Sequence, residues 1–290
     1  MTHKQLTEAA DGQTDRTPMH GRIPLRFFVV TFAWSWLIWL PLVLAGVGVL
    51  RVDDEIRATM ALPAAMLGAF GPAIGACYSV WTLDGRRALV DFLKSFLSLR
   101  FGWKAWVSIF AVLGAVNAFA WYVPELFGHD RLPMLLPSAF VFPIWLVLMA
   151  LLGGGQEEVG WRGYILEPLE ARFGIWMGNV VLGSVWAVWH IPLWFVLGSS
   201  QEYMPFVAFL LGTIGLSFFF SWVMKASGGR PLSAVIAHGA YNAFIALTPT
   251  LVMQSGVVQT RWWIHQTLLV VVGVLFVVYL TRSSRRGVAG

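Results

Sequence analysis

The sequence is poor in charge and nearly empty of cysteine. Of its 290 residues only 12% are charged while 58% are hydrophobic, whereas an ordinary soluble domain is roughly a quarter charged. That deficit excludes an ordinary soluble globule. Cys77 stands alone, so neither an intrachain disulfide nor a cysteine-based metal motif can be drawn. A phosphate-binding loop, a His-Glu-x-x-His zinc motif and a Gly-x-Ser-x-Gly elbow are all missing. Ser199, Ser200, Ser227 and Ser233 have no base beside them in sequence, so a serine mechanism has little support. The apolar runs show no period-2 alternation, which argues against a β-barrel.

What is present is a series of apolar runs, with a mean hydropathy of +0.70. A helix needs about 20 predominantly apolar residues to cross the hydrocarbon core. Runs at 27–47, 59–82, 103–124, 135–166, 175–197, 203–224, 232–247 and 265–280 meet or approach that length. The expected fold is an all-α membrane protein, a bundle of about eight transmembrane helices. Residues 1–22 are polar and read as a disordered cytosolic tail. Residues 23–285 read as a single polytopic domain without internal repeats. The first run is too long for a secretory leader and is followed by further spans. Pro63 and Pro72 are expected to kink the second run. Leu89, Phe92, Leu93, Phe96 and Leu97 recur at helical spacing in the basic connector before Lys104, which suggests a short interfacial helix. The fourth run is too long for one straight span and must tilt, extend or break near Gly153-Gly154-Gly155.

The net charge of +5 reflects topology rather than nucleic-acid binding. With the N-terminus inside and eight spans, Arg51, Arg57, Arg131 and Arg261 fall outside, and the other 16 of the 20 lysines and arginines fall inside. That asymmetry obeys the positive-inside rule and places both termini in the cytosol. The 16 tryptophans, many near span ends, fit an interfacial belt. Gly178, Gly183, Gly212 and Gly215 read as close helix contacts rather than a cofactor loop.

Against this apolar background one stretch stands out: Gln156-Glu157-Glu158-Val159-Gly160-Trp161-Arg162-Gly163. A carboxylate near hydrocarbon costs roughly 2.5–3.5 kcal/mol at a helix centre, so it faces a cavity or a partner. Glu158 and Arg162 are i, i+4 with the acid first, the favourable order for a helical ion pair; the simple reading is a structural salt bridge. Glu157 points about 100° away on the helix and needs groups from other helices. His238 and Asn242 share one helical face, as do Trp186 and His190; the indole of Trp186 would lie beneath the His190 imidazole and fix its rotamer. A lone buried histidine is ordinarily a packing residue, but two histidines, an asparagine and an unpaired glutamate in one bundle ask for a function. His3, His20, His129 and His265 lie in tails, loops or at a span boundary and receive no role.

Glu157-Glu158-x-x-x-Arg162, then Trp186-x-x-x-His190, then His238-x-x-x-Asn242 resemble, in order and spacing, the three motifs of the CAAX-protease and bacteriocin-processing family, also called the Abi family. These are intramembrane endopeptidases related to the eukaryotic enzyme that removes the last three residues of prenylated proteins. The resemblance covers roughly residues 153–247, the expected catalytic core. Trp186 departs from it, since the second motif usually carries phenylalanine there.

The resemblance implies that Glu157 is the general base, that His190 orients the water, and that His238 and Asn242 bind the oxyanion. Glu158, Arg162 and Trp186 form the support. No metal or other cofactor is implied, although Glu157, His190 and His238 also suit a catalytic zinc site, the alternative metalloprotease reading. The expected substrate is a hydrophobic or lipidated peptide or protein in contact with membrane lipid, not a nucleic acid. The expected setting is a prokaryotic cell membrane, with the site open to the cytosol. Two alternatives stay open: a transporter or channel using the same groups as an ion or proton path, and a non-catalytic scaffold. Depth poses a problem for convergence. His190 lies about 15 residues into its run, roughly 22 Å by helical rise, whereas His238 is only about seven residues into its own.

Overall fold

The computed structural model describes residues 23–288, with side chains to residue 283. The expected tail at 1–22 lies outside the described residues. Among them the protein is all-helical, with no strand.

Helix α1 (Leu25–Gly46) is followed by α2 (Asp54–Gly68) and α3 (Gly71–Lys94). Asp53 caps α2 by accepting the Glu55 N–H at 2.9 Å, which satisfies one of the free donors of its first turn. Pro63 is accommodated within α2, but Pro72 sits in the first turn of α3, where its missing N–H costs nothing. The second run thus divides at 69–70 into two helices. A second bend follows at Gly85, whose φ of 85° no ordinary L-residue adopts readily. The helical stretch beyond it carries the basic connector.

Helix α4 (Trp103–Phe127) contains one wide, π-type turn at Ser108–Val112. Helix α5 (Phe142–Leu151) then ends where the glycine run begins. The long fourth run is therefore broken, as its length demanded. Helical turns resume at 155–165 and carry the Glu pair. They lead into α6 (Leu166–Trp189), bent at Gly174. The remaining helices are α7 (Phe206–Ala226), α8 (Leu232–Leu247) and α9 (Thr260–Val288).

By length and composition, six helical stretches among the described residues can cross a membrane. The expected fourth and fifth spans fall within one of them, Ala139–Phe195, and α8 is a shorter apolar helix. Helix α7 is the axis of the bundle: 67% of its apolar window is buried, against 17–33% for the other stretches. It packs between α6 and α9. Small residues permit that approach. A Cβ on Gly183 would meet the Ile214 backbone at 2.6 Å, and one on Gly215 the Leu269 backbone at 2.6 Å. Gly239 does the same for α8, where a Cβ would strike Ala150 of α5 at 2.6 Å. That last contact seats His238 beside the glycine break.

Candidate active site

The site is built where the fourth run breaks. Gly154 has φ +122°, a conformation that favours glycine, and its N–H donates to the Gln156 side-chain oxygen at 2.9 Å. The Gln156 amide in turn donates to the Leu152 carbonyl at 3.2 Å. Gln156 thus spans the gap that the broken helix leaves between its two parts. From α8, the Asn242 amide donates to the Gly153 carbonyl, pinning the break from the other side. These contacts point the next two residues, Glu157 and Glu158, into different surroundings.

Glu158 is fully buried and Arg162 2% exposed. One guanidinium nitrogen, Nη1, donates to both Glu158 oxygens at 2.8 and 2.9 Å. The guanidinium carbon lies 4.6 Å from the Trp186 ring centroid and 4.7 Å from that of Phe220, so the cation is held between two π faces. The same carboxylate receives His238 Nδ1 at 2.8 Å. A carboxylate engaged by an arginine only accepts hydrogen bonds, so His238 Nδ1 carries a proton and Nε2 is left for the cavity. Helical spacing predicted the Glu158–Arg162 pair, but the link from Glu158 to His238 across 80 residues was not legible.

Glu157, 4% exposed, accepts the Trp186 indole N–H at 2.8 Å. Here the structure corrects an expectation. The indole of Trp186 does not chiefly brace His190, since their ring centroids are 6.0 Å apart. His190 packs instead on Trp189, at 4.6 Å, and on Phe209, at 5.1 Å. Its orientation is set by Nδ1, which donates to the Trp186 carbonyl at 2.9 Å, leaving Nε2 free. The depth problem has a related answer. Trp186 lies 5.3 Å from the His238 ring and one helical turn, about 6 Å, before His190. His238, Trp186 and His190 therefore form a rising column along one wall.

That wall belongs to a cavity of about 640 Å³ lined by Glu157, Trp186, His190, His238 and Asn242. Apolar residues of α2, among them Ala58, Ala61, Leu62 and Ala65, also line it. Nothing in the three motifs signalled that contribution. A Cβ placed on Gly154 would sit 2.6 Å from both His238 Nε2 and Asn242 Nδ2. Those two nitrogens are therefore at most twice that, 5.2 Å, apart, close enough to address one oxygen. Among the described residues no three His, Cys, Asp or Glu side chains come together to hold a metal ion. His265 proves fully buried, with its ring stacked 5.6 Å from that of Tyr241.

Residues 138–244 match the family model described as Type II CAAX prenyl endopeptidase Rce1-like. The matched segment, 107 of the 290 residues, is similar to the Rce1-like CAAX endopeptidases. It contains Glu157, Glu158, Arg162, Trp186, His190, His238 and Asn242, so the resemblance carried by the three motifs is supported. The chain is also similar to CAAX prenyl protease 2 of Methanococcus maripaludis, 23% identical over 249 residues, covering 81% of this chain and 89% of that protein. The six apolar helical stretches make this an integral membrane protein, and the segment that carries the candidate site is similar to the CAAX-type endopeptidases.

Proposed function

We propose that the protein is an intramembrane endopeptidase in which Glu157 activates water. The observation that carries this reading is that Glu157, His190, His238 and Asn242, from three separate helical segments, border one cavity. In the proposed reaction a water hydrogen-bonded to Glu157 and His190 Nε2 gives its proton to Glu157 as its oxygen bonds to the peptide carbonyl carbon. Charge develops on the carbonyl oxygen, where His238 Nε2 and Asn242 Nδ2 donate to it. Because His238 Nδ1–H is already given to Glu158, donation from Nε2 requires the imidazolium form; Glu158 balances its charge. Collapse of the tetrahedral species breaks the C–N bond, and Glu157 passes its proton to the leaving amine. The products are a carboxylate and an amine, with no group left on the enzyme.

The same reading takes Ala139–Phe195 as two crossings and α8 as a short one, which turns six stretches into eight spans with both termini on the basic side. Residues 23–285 then form one domain. The substrate is a hydrophobic or membrane-tethered peptide, as the prenyl protease name of the archaeal relative suggests, in a prokaryotic membrane. The test is cleavage of quenched-fluorescence peptides, beginning with a CAAX-type peptide, by wild type, Glu157→Ala, His190→Ala and His238→Ala, each with and without a chelator. Activity lost in all three variants and indifferent to the chelator supports the mechanism. Activity abolished by the chelator and restored by zinc overturns the metal-free form.

A further inference from the structure

A second polar cluster in the bundle takes no part in the proposed reaction. Gln266 of α9 is 2% exposed and His265 is fully buried, and both lie beyond the segment 138–244 that matches the family model. The Gln266 amide nitrogen donates to His265 Nδ1 at 3.1 Å, since an amide nitrogen is only a donor. The His265 ring stacks on Tyr241 of α8 with 9° between their planes, and the Tyr241 hydroxyl is hydrogen-bonded to the same Gln266 side chain. From α7, Gly212 makes room for the amide: a Cβ there would overlap Gln266 Oε1 and displace it. Three helices are thus shaped around one amide.

Polar side chains inside a membrane bundle are costly and mark functional sites by default. Gln266 and Tyr241 both line the cavity that holds the candidate site. The cavity face of α8 reads His238, Tyr241, Asn242 and Ile245, at i, i+3, i+4 and i+7, so Tyr241 shares one helical face with the two oxyanion donors. A side-chain amide has four hydrogen-bonding positions, two N–H and two lone pairs. His265 takes one N–H and Tyr241 one further position. Whichever way the Tyr241 bond runs, Oε1 keeps a lone pair. We propose that Gln266 Oε1 accepts a main-chain N–H of the substrate peptide near the scissile bond, and that His265 is a positioning residue that holds the amide turned for it. The inference rests on the endopeptidase reading, which gives the cavity a peptide to hold.

The test replaces main-chain amides of a cleaved quenched-fluorescence peptide by esters, one at a time, leaving the scissile bond intact. Each ester keeps the chain but removes one N–H. At one position the ester should raise KM for wild type by about 5–10-fold with kcat little changed, the worth of one hydrogen bond. Gln266→Leu should raise KM for the parent peptide by the same factor and show no further loss with that ester. Gly212→Ala and His265→Leu, which keep Gln266 but let its amide shift or turn, should behave alike. A purely structural Gln266 would leave the ratio of peptide to ester the same in wild type and all three variants. That result overturns the inference while the endopeptidase reading stands. If wild type cleaves no peptide, a CAAX-type peptide and its esters are titrated into wild type and Gln266→Leu, with tryptophan fluorescence as the signal. Ester-sensitive affinity found only in wild type refutes the endopeptidase reading and leaves the Gln266 site standing; its absence overturns both.

Discussion

Replacing Arg162 by methionine removes the guanidinium that pairs with Glu158 while keeping much of the side-chain volume. Glu158 is fully buried, so the variant leaves a carboxylate that must either stay charged without its counter-ion or take up a proton. Breaking a buried pair in this way costs about 3–5 kcal/mol. Two charge-assisted hydrogen bonds are lost, together with the packing of the guanidinium between Trp186 and Phe220. Adding Glu158→Gln to Arg162→Met should restore most of the loss. The amide oxygen still accepts His238 Nδ1–H, and the carboxylate left without its guanidinium is gone. The assay is reversible unfolding in mixed micelles with rising dodecyl sulfate, followed by far-ultraviolet circular dichroism. An Arg162→Met cost below about 1 kcal/mol, the level of an exposed pair, would refute the reasoning. So would a double variant no more stable than the single one.

Gly154→Ala places a Cβ 2.6 Å from both His238 Nε2 and Asn242 Nδ2 at a φ of +122°. It should lower kcat by roughly 10²–10³-fold, as loss of an oxyanion donor does, with expression and the helical signal retained; near wild-type turnover would contradict the placement of those donors. Trp186→Phe removes the indole donor to Glu157 but keeps an aromatic face for Arg162, so peptide cleavage should fall by about 10-fold, the equivalent of about 1.4 kcal/mol, and not disappear. At the basic end, Glu170 accepts from Asn179 at 2.8 Å and from Lys225 at 2.6 Å, linking α6 to α7. Glu170→Ala should cost about 1–3 kcal/mol of stability in the same unfolding assay while leaving kcat within about twofold at a permissive temperature.

The polar half of the site was legible because charge is scarce in this chain. Six polar or aromatic residues in three i, i+4 pairs, with Glu157 beside the first, stand out from apolar runs, and that spacing alone pairs Glu158 with Arg162. The break at Gly153–Gly155 could be anticipated, since a run of more than 30 residues cannot cross the bilayer as one straight helix. Contacts between distant segments were not legible. The Trp186 indole reaches Glu157 across 29 residues, and no local pattern distinguishes that partner from the nearer His190. The division of the second run at 69–70 was also hidden, because Pro72 can either kink a helix or begin one.

The central claim is that the Glu157 carboxylate is the base, and Glu157→Gln tests it most directly. The substitution keeps the shape and the acceptor for the Trp186 N–H but removes basicity. Purified Glu157→Gln protein should unfold at the same detergent concentration as wild type and cleave a substrate peptide at least about 10³-fold more slowly, at the level of a positioned base worth about 10²–10⁴. Cleavage within about tenfold of wild type by the folded variant would contradict the account.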